Sequence, residues 1–121
     1  MTEVLGRNEI ESALHAAVER LRAMGPVKRV ILFGSRARGD HDEDSDWDLC
    51  VLLSDDIPAG VYTPASMWQA VRGLGLAVQV VPMRTSVFDD TRSDVNALAY
   101  DVARDGIVLF DESSGPSIEP K

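Results

Sequence analysis

The stretch of sequence that decides the fold is residues 27–53, VKRVILFGSRARGDHDEDSDWDLCVLL. Two apolar runs, Val27–Phe33 and Asp46–Leu53, are rich in the residues that favour buried strands. Between them, Gly34-Ser35 ends the first strand and predicts a short helix over residues 35–40, and an acidic loop follows over residues 40–45. If the two strands are adjacent and antiparallel, the Gly-Ser corner and the start of the second strand meet at one edge of the sheet.

Outside this stretch, amphipathic helices alternate with apolar strands. Apolar residues spaced by three and four predict a first helix over Glu9–Met24, with Asn8 as its N-cap. The other predicted elements are helices over Pro64–Leu74 and Ser93–Asp105 and strands over Leu76–Met83 and Ile107–Phe110. This alternation predicts an α/β or α+β layer structure. We expect one domain over residues 1–111 and a disordered tail over residues 112–121, which are rich in Ser, Pro and Gly.

Composition narrows the classes of function. The chain has 121 residues, of which 45% are hydrophobic and 26% charged, as in globular proteins. Its net charge of −8 argues against duplex nucleic acid as a partner, because such binding depends on basic contacts to phosphates. No apolar run approaches the ~20 residues that cross a bilayer, so no membrane association is expected. Cys50 is the single cysteine, which excludes an internal disulfide and favours the cytoplasm.

The Gly34-Ser35 corner has the features of a phosphate cradle. A strand that ends in Gly-Ser and opens a helix presents backbone N–H groups that have no acceptor within the helix. Glycine lets the backbone approach a ligand closely, and the Ser35 hydroxyl can donate a further hydrogen bond. The corner therefore predicts a site for a phosphorylated ligand.

Asp46 and Asp48 predict a metal site next to that corner. They are two residues apart at the start of a strand, so their carboxylates point to the same face. Neighbouring carboxylates repel each other, and a bound cation relieves the repulsion. Mg²⁺ prefers oxygen ligands and is commonly shared between one or two carboxylates and substrate phosphates. Such a pair supports in-line displacement at phosphorus.

Other interpretations of these residues fail on their spacing. An EF-hand loop that begins at Asp40 would have Ser45 in place of its glycine and Val51 in place of its bidentate glutamate. No Gly-Lys-Ser/Thr follows Gly34, which excludes a Walker A loop. Ser35 lies in no Gly-x-Ser-x-Gly elbow, so we do not expect a covalent nucleophile there. Trp68 is interpreted as a packing residue rather than a platform for a base.

The pattern of Gly34-Ser35, ten residues, then Asp46-x-Asp48 resembles the nucleotidyltransferase superfamily related to DNA polymerase β. Within that superfamily the chain is similar to the minimal nucleotidyltransferases, which are often antitoxin partners of HEPN-domain proteins. The resemblance implies a mixed four-stranded sheet flanked by helices. It also implies transfer of a nucleotidyl group from a nucleoside triphosphate, with ATP expected, to a hydroxyl acceptor on a HEPN partner, with Mg²⁺ as cofactor.

The resemblance also implies roles for individual residues. Gly34 and Ser35 would hold the triphosphate, and Asp46 and Asp48 would bind Mg²⁺ and support catalysis. Arg38 either contacts the phosphates or faces solvent. The family's third carboxylate falls at Gln79, whose face on its strand the sequence leaves open. An amide is a poor base, so a catalytically impaired module that neutralises its partner by contact is the alternative. The small domain has wide edges, and the sequence leaves a homo-oligomer open.

Overall fold

The computed structural model describes residues 7–114, which form five α-helices, four strands and a final turn of 3-10 helix. In chain order these elements are α1 (Arg7–Arg22), β1 (Val27–Phe33), α2 (Ser35–Arg38), β2 (Trp47–Leu53), α3 (Pro64–Val71), β3 (Val78–Arg84), α4 (Thr85–Thr91), α5 (Leu98–Asp105), β4 (Ile107–Asp111) and the 3-10 helix Glu112–Ser114.

The four strands form one mixed sheet in the order β3-β2-β1-β4. β1 is antiparallel to both β2 and β4, and β2 is parallel to β3. β1 and β2, which carry the Gly-Ser corner and the aspartates, are therefore adjacent and antiparallel, and the predicted mixed four-stranded sheet flanked by helices is confirmed. In the described part of the chain, β3 and β4 form the two edges.

Helices cover both faces of the sheet, as in an α/β layer structure. On one face α1 and α3 pack over a cluster that includes Leu21, Val30, Leu49 and Met67. On the other face α4 and α5 pack over a smaller cluster that includes Ile31, Cys50, Phe88 and Val102. Asp48 and Cys50 are two residues apart on β2, so their side chains project on the same, second face. Asp48 lies at the end of the strand where the buried cluster stops.

The prediction of one long helix over Ser93–Asp105 is wrong in its first turn and misses a helix before it. Ala97 N–H donates to the Asp94 carbonyl at 2.9 Å, and Asn96 N–H donates to the Asp94 side chain at 2.9 Å, so this segment is a turn and the helix starts at Leu98. Asp and Asn side chains compete with helical bonds in this way. The helix Thr85–Thr91 was not predicted, because its β-branched residues and aspartates favour helix weakly.

Smaller differences lie at the ends of elements. The first helix, as far as the structure describes it, already includes Arg7, so Asn8 lies within the helix and is not its N-cap. Thr63 and Ser66 form a capping box at the start of α3, with each side chain bonded to the other residue's backbone N–H. Glu112 lies in the last 3-10 turn and pairs with Lys28 at 2.9 Å, so described structure continues beyond the predicted domain end at Asp111. The rest of the predicted tail, residues 115–121, lies outside the described residues.

No helix within residues 7–114 has the length and apolar character needed to cross a membrane.

Candidate active site

The Gly34 corner has a backbone conformation that favours glycine. Gly34 has φ 80° and ψ −162°, a region that side-chain-bearing residues rarely occupy. Its carbonyl accepts hydrogen bonds from Ala37 N–H and Arg38 N–H, both at 3.0 Å, which closes the single turn of α2. Since the first turn of a helix leaves N–H groups without acceptors, this corner can donate to an anionic group. A helix of four residues has a small dipole, so hydrogen bonds from its N–H groups, and not the dipole, would bind the anion.

Asp48 lies against this corner. Phe33 is opposite Asp48 in the β1–β2 ladder, which brings Gly34 beside the aspartate. A Cβ atom added to Gly34 would overlap Asp48 Oδ2 and lie 3.3 Å from Asp48 Cγ. Glycine is therefore required here both by its φ angle and by the carboxylate opposite it. The predicted juxtaposition of the Gly-Ser corner with the second aspartate is present.

The two aspartates differ in exposure. Asp46 is exposed in the loop just before β2, and Asp48 is half-buried within the strand. Burial raises the pKa of Asp48, the nearby Asp46 charge raises it further, and the Arg38 charge opposes both effects. The ionised pair is therefore under electrostatic strain, which a cation between the carboxylates would relieve.

The donor set suits Mg²⁺ shared with a substrate. Within residues 7–114 no group of three or more His, Cys, Asp or Glu side chains forms a complete metal site. Asp46 and Asp48 can supply two oxygen ligands, which leaves the other coordination positions to phosphate oxygens and water. That is the usual way in which Mg²⁺ is held in phosphoryl-transfer proteins. The residues present fit this metal only together with a phosphorylated ligand.

Arg38 lies within electrostatic range of Asp48 but is not committed to it. Its side chain is exposed, and Arg38 Nε donates to Asp40 Oδ2 at 3.2 Å. An exposed ion pair of this kind contributes little to stability and is easily exchanged for another anion. Arg38 is thus placed where it can turn toward a phosphate without disrupting the fold.

Gln79 occupies the position next to Asp48 on the neighbouring strand. β2 and β3 run parallel, with Asp48 opposite Gln79 in the ladder. Val81 and Met83, which share the parity of Gln79, pack with the same buried cluster as Cys50 and Leu52. The side chain of Gln79 therefore projects on the same face as Asp48, and it is exposed. This settles the face that the sequence left open: a neutral amide stands beside the aspartate pair.

Arg36 holds the acidic loop against the site. Arg36 Nη2 donates to the carbonyls of Glu43 at 3.3 Å and Ser45 at 3.1 Å, and Nε donates to Ser45 at 3.2 Å. Its guanidinium lies 4.5 Å from the centre of the Trp47 ring. Asp46 is the residue between these two anchors. Only the β2 register and the loop path reveal this role, since Arg36 belongs to no motif of its own.

The acidic loop also has internal order. Asp42 Oδ1 accepts hydrogen bonds from Asp44 N–H at 2.9 Å and from Ser45 Oγ at 3.3 Å. These bonds form a tight turn that leads into Asp46. Asp42 therefore shapes the loop.

Comparison with known proteins gives the family. A family model described as a nucleotidyltransferase domain matches residues 14–102, which include the corner, both aspartates and Gln79. The chain is 32% identical over 88 residues to the protein adenylyltransferase MntA of Aphanizomenon flos-aquae. The aligned part is 71% of this chain and 58% of that relative, so the chain spans less than two thirds of the relative's length.

Solved structures share the architecture. A Sulfolobus solfataricus protein described as a candidate nucleotidyltransferase superposes with a TM-score of 0.59 at 23% identity, over 92% of this chain and 94% of its own. A toxin–antitoxin complex solved with AMP-PNP contains a chain that superposes with a TM-score of 0.57 at 25% identity, over 88% of this chain and 74% of its own. The fold prediction is thereby confirmed, and the relatives agree with the minimal branch of the superfamily. On the strength of the matched domain, this chain belongs to the nucleotidyltransferase domain family.

Proposed function

We propose that this protein transfers a nucleotidyl group from ATP to a hydroxyl on a HEPN-domain partner protein and thereby acts as an antitoxin. The observation that carries the proposal is the contact between the Gly34 corner and Asp48, because it joins a phosphate cradle to a metal-binding carboxylate. ATP is favoured over other nucleotides because a relative is named an adenylyltransferase and a structural neighbour was solved with AMP-PNP. The cytoplasm, with its ATP and reduced thiols, is the compartment that this function requires.

In the proposed reaction each residue has a distinct task. Backbone N–H groups at Gly34-Ser35 and the Ser35 hydroxyl bind the triphosphate, and Arg38 leaves Asp40 to contact it. Asp46 and Asp48 hold Mg²⁺, which when bound neutralises charge that develops on the phosphate oxygens. The acceptor hydroxyl oxygen forms a bond to the α-phosphorus, and the bond from that phosphorus to the bridging oxygen breaks as pyrophosphate leaves.

The proton of the acceptor hydroxyl needs a base, and Gln79 cannot serve. A neutral amide offers a carbonyl oxygen that can accept a hydrogen bond but does not take up a proton near neutral pH. The proton must therefore pass to water, because Asp46 and Asp48 are assigned to Mg²⁺ in this reaction. We expect transfer to be slower than in a chain with a carboxylate at position 79.

Gln79 also motivates a second candidate function. With the third carboxylate replaced, the protein could bind nucleotide and metal and neutralise its partner by contact alone. The two functions separate in one experiment, in which the protein is incubated with radiolabelled ATP, Mg²⁺ and the protein encoded beside it. Label on the partner, lost in Asp46→Asn/Asp48→Asn, supports transfer. If the partner is neutralised without being labelled, and the double variant still neutralises it, the protein acts by contact and not by transfer.

A further inference from the structure

The strand beside Asp48 limits the number of carboxylates at the candidate site. β2 and β3 run parallel with Asp48 opposite Gln79, and both side chains project on the same face of the sheet. A carboxylate at position 79 would complete a group of three acids with Asp46 and Asp48. Gln79 supplies an amide instead, whose oxygen is a neutral acceptor. The site is therefore built on two anionic side chains and one neutral one.

Two other acids at this end of the sheet are bonded elsewhere. Asp105 ends α5 just before β4, whose first residue, Ile107, pairs with Leu32 close to the corner. Both oxygens of Asp105 accept from Arg104, from Nε at 3.1 Å and from Nη2 at 2.8 Å. The side chain of Asp42 closes the turn of the acidic loop. Within residues 7–114, no group of three or more His, Cys, Asp or Glu side chains is arranged to hold a metal ion.

Charge determines how many cations these side chains can hold. In sites with two metal ions the cations are about 3.5–4 Å apart. Two dications at that separation repel each other, and the anionic ligands around them must offset the repulsion. Asp46 and Asp48 supply two negative charges, and the positive charge of Arg38 also acts on Asp48. One Mg²⁺ that arrives with the triphosphate matches this set, whereas a second would meet the neutral amide of Gln79.

We infer that this protein binds a single Mg²⁺ ion with each nucleotide, held by Asp46, Asp48 and the triphosphate, and that the neutral side chain at position 79 keeps a second ion out. This inference rests on the proposed function and specifies the metal content of the same site. The acceptor hydroxyl therefore reacts without a second metal ion to lower its pKa, which agrees with the slower transfer expected for this chain.

The test counts bound ions with Mn²⁺, which takes the same oxygen ligands as Mg²⁺ and is detected by electron paramagnetic resonance. Mn²⁺ is titrated into protein and a nonhydrolysable ATP analogue, at equal concentrations well above the dissociation constant of their complex. Gln79→Asp and Gln79→Asn form a matched pair that differs in charge but hardly in shape, at a position exposed to solvent. We expect one ion per complex in wild type and in Gln79→Asn. Gln79→Asp should bind two, with a spectrum broadened by coupling between neighbouring Mn²⁺ ions.

Failure of the inference and failure of the proposed function give different results. Two ions in wild type would overturn the inference and leave transfer in place, because the amide oxygen or another ligand would then complete a second site. A single ion in Gln79→Asp would overturn the role given to Gln79. Binding of the analogue without any Mn²⁺ would overturn both the inference and the metal site. One ion in wild type, with no label transferred to the partner, would support the inference and remove the transfer function.

Discussion

Replacing Gly34 with alanine should disturb both the fold and the site, in amounts that can be separated. Gly34 combines a φ of 80° with the carboxylate of Asp48 where a Cβ atom would stand. Gly39, five residues later, has a φ of 91° but no atom within 4 Å of an added Cβ. Gly39→Ala is therefore a control that places a side chain at a positive φ, in the left-handed region with ψ 3°, without the contact to Asp48.

The expected losses in the free energy of unfolding follow from the backbone angles at the two glycines and from the contact with Asp48. A side chain in the backbone region of Gly34 costs about 1–3 kcal/mol. Turning the Asp48 carboxylate away from its rotamer adds roughly 0.5–1.5 kcal/mol. For Gly39→Ala only the left-handed backbone contributes, at about 1–2 kcal/mol. We expect Gly34→Ala to be the more destabilising substitution by about 1 kcal/mol, or a few degrees in Tm.

A double-mutant cycle with Asp48→Ala isolates the contact. Denaturant unfolding of wild type, both single variants and the double variant gives the coupling between positions 34 and 48. Because Asp48→Ala removes the overlapping oxygen, Gly34→Ala should cost roughly 0.5–1.5 kcal/mol less in that background. Binding of an ATP analogue with Mg²⁺ should weaken at least tenfold in Gly34→Ala and much less in Gly39→Ala. Equal effects of the two alanine variants, with no coupling, would refute the reasoning.

Three further predictions concern residues around the aspartates. Asp48→Asn should raise the Tm of the metal-free protein at neutral pH, because burial raises the pKa of Asp48 and its ionisation therefore destabilises the fold as pH rises through that pKa. The advantage should vanish on acidification to below the ordinary carboxyl pKa, which a pH series of melting curves would check. With Mg²⁺ and nucleotide added, wild type should become the more stable protein. Arg36→Ala should lower the free energy of unfolding by about 1–2 kcal/mol and raise the Mg²⁺ concentration needed for nucleotide binding. Arg36→Lys should restore both only in part, because lysine lacks the planar guanidinium. An unchanged Mg²⁺ titration would count against the anchoring role of Arg36. Gln79→Asp should increase label transfer several-fold at little cost in Tm because position 79 is exposed, and no gain would show that the position does not limit the reaction.

The parts of the fold that local pattern controls could be predicted. β1 matches its predicted bounds of Val27–Phe33, because a run of β-branched and apolar residues between Pro26 and Gly34 permits little else. The contact of the corner with Asp48 followed from the sequence once the two strands were taken as adjacent and antiparallel, since strands that pair across residues 34–46 bring those positions together.

The features that the sequence missed depend on tertiary contacts. The face of Gln79 required the parallel register of β2 with β3, which is set by packing of residues far apart in the chain. The turn at Asp94 competes with a helix through side-chain bonds that apolar periodicity does not register, and Val95 within this turn is 67% exposed. Arg36 could be assigned to the loop only once the path of Glu43 to Ser45 was known.

The central claim is that Asp46 and Asp48 bind Mg²⁺ together with phosphates seated at the Gly34-Ser35 corner. Calorimetric titration with a nonhydrolysable ATP analogue tests it directly, in the presence and absence of Mg²⁺, for wild type and Asp46→Asn/Asp48→Asn. We predict binding that requires Mg²⁺ in wild type and a loss of at least tenfold in affinity in the folded double variant. Nucleotide binding that is independent of Mg²⁺, or unchanged in the double variant, would contradict the account.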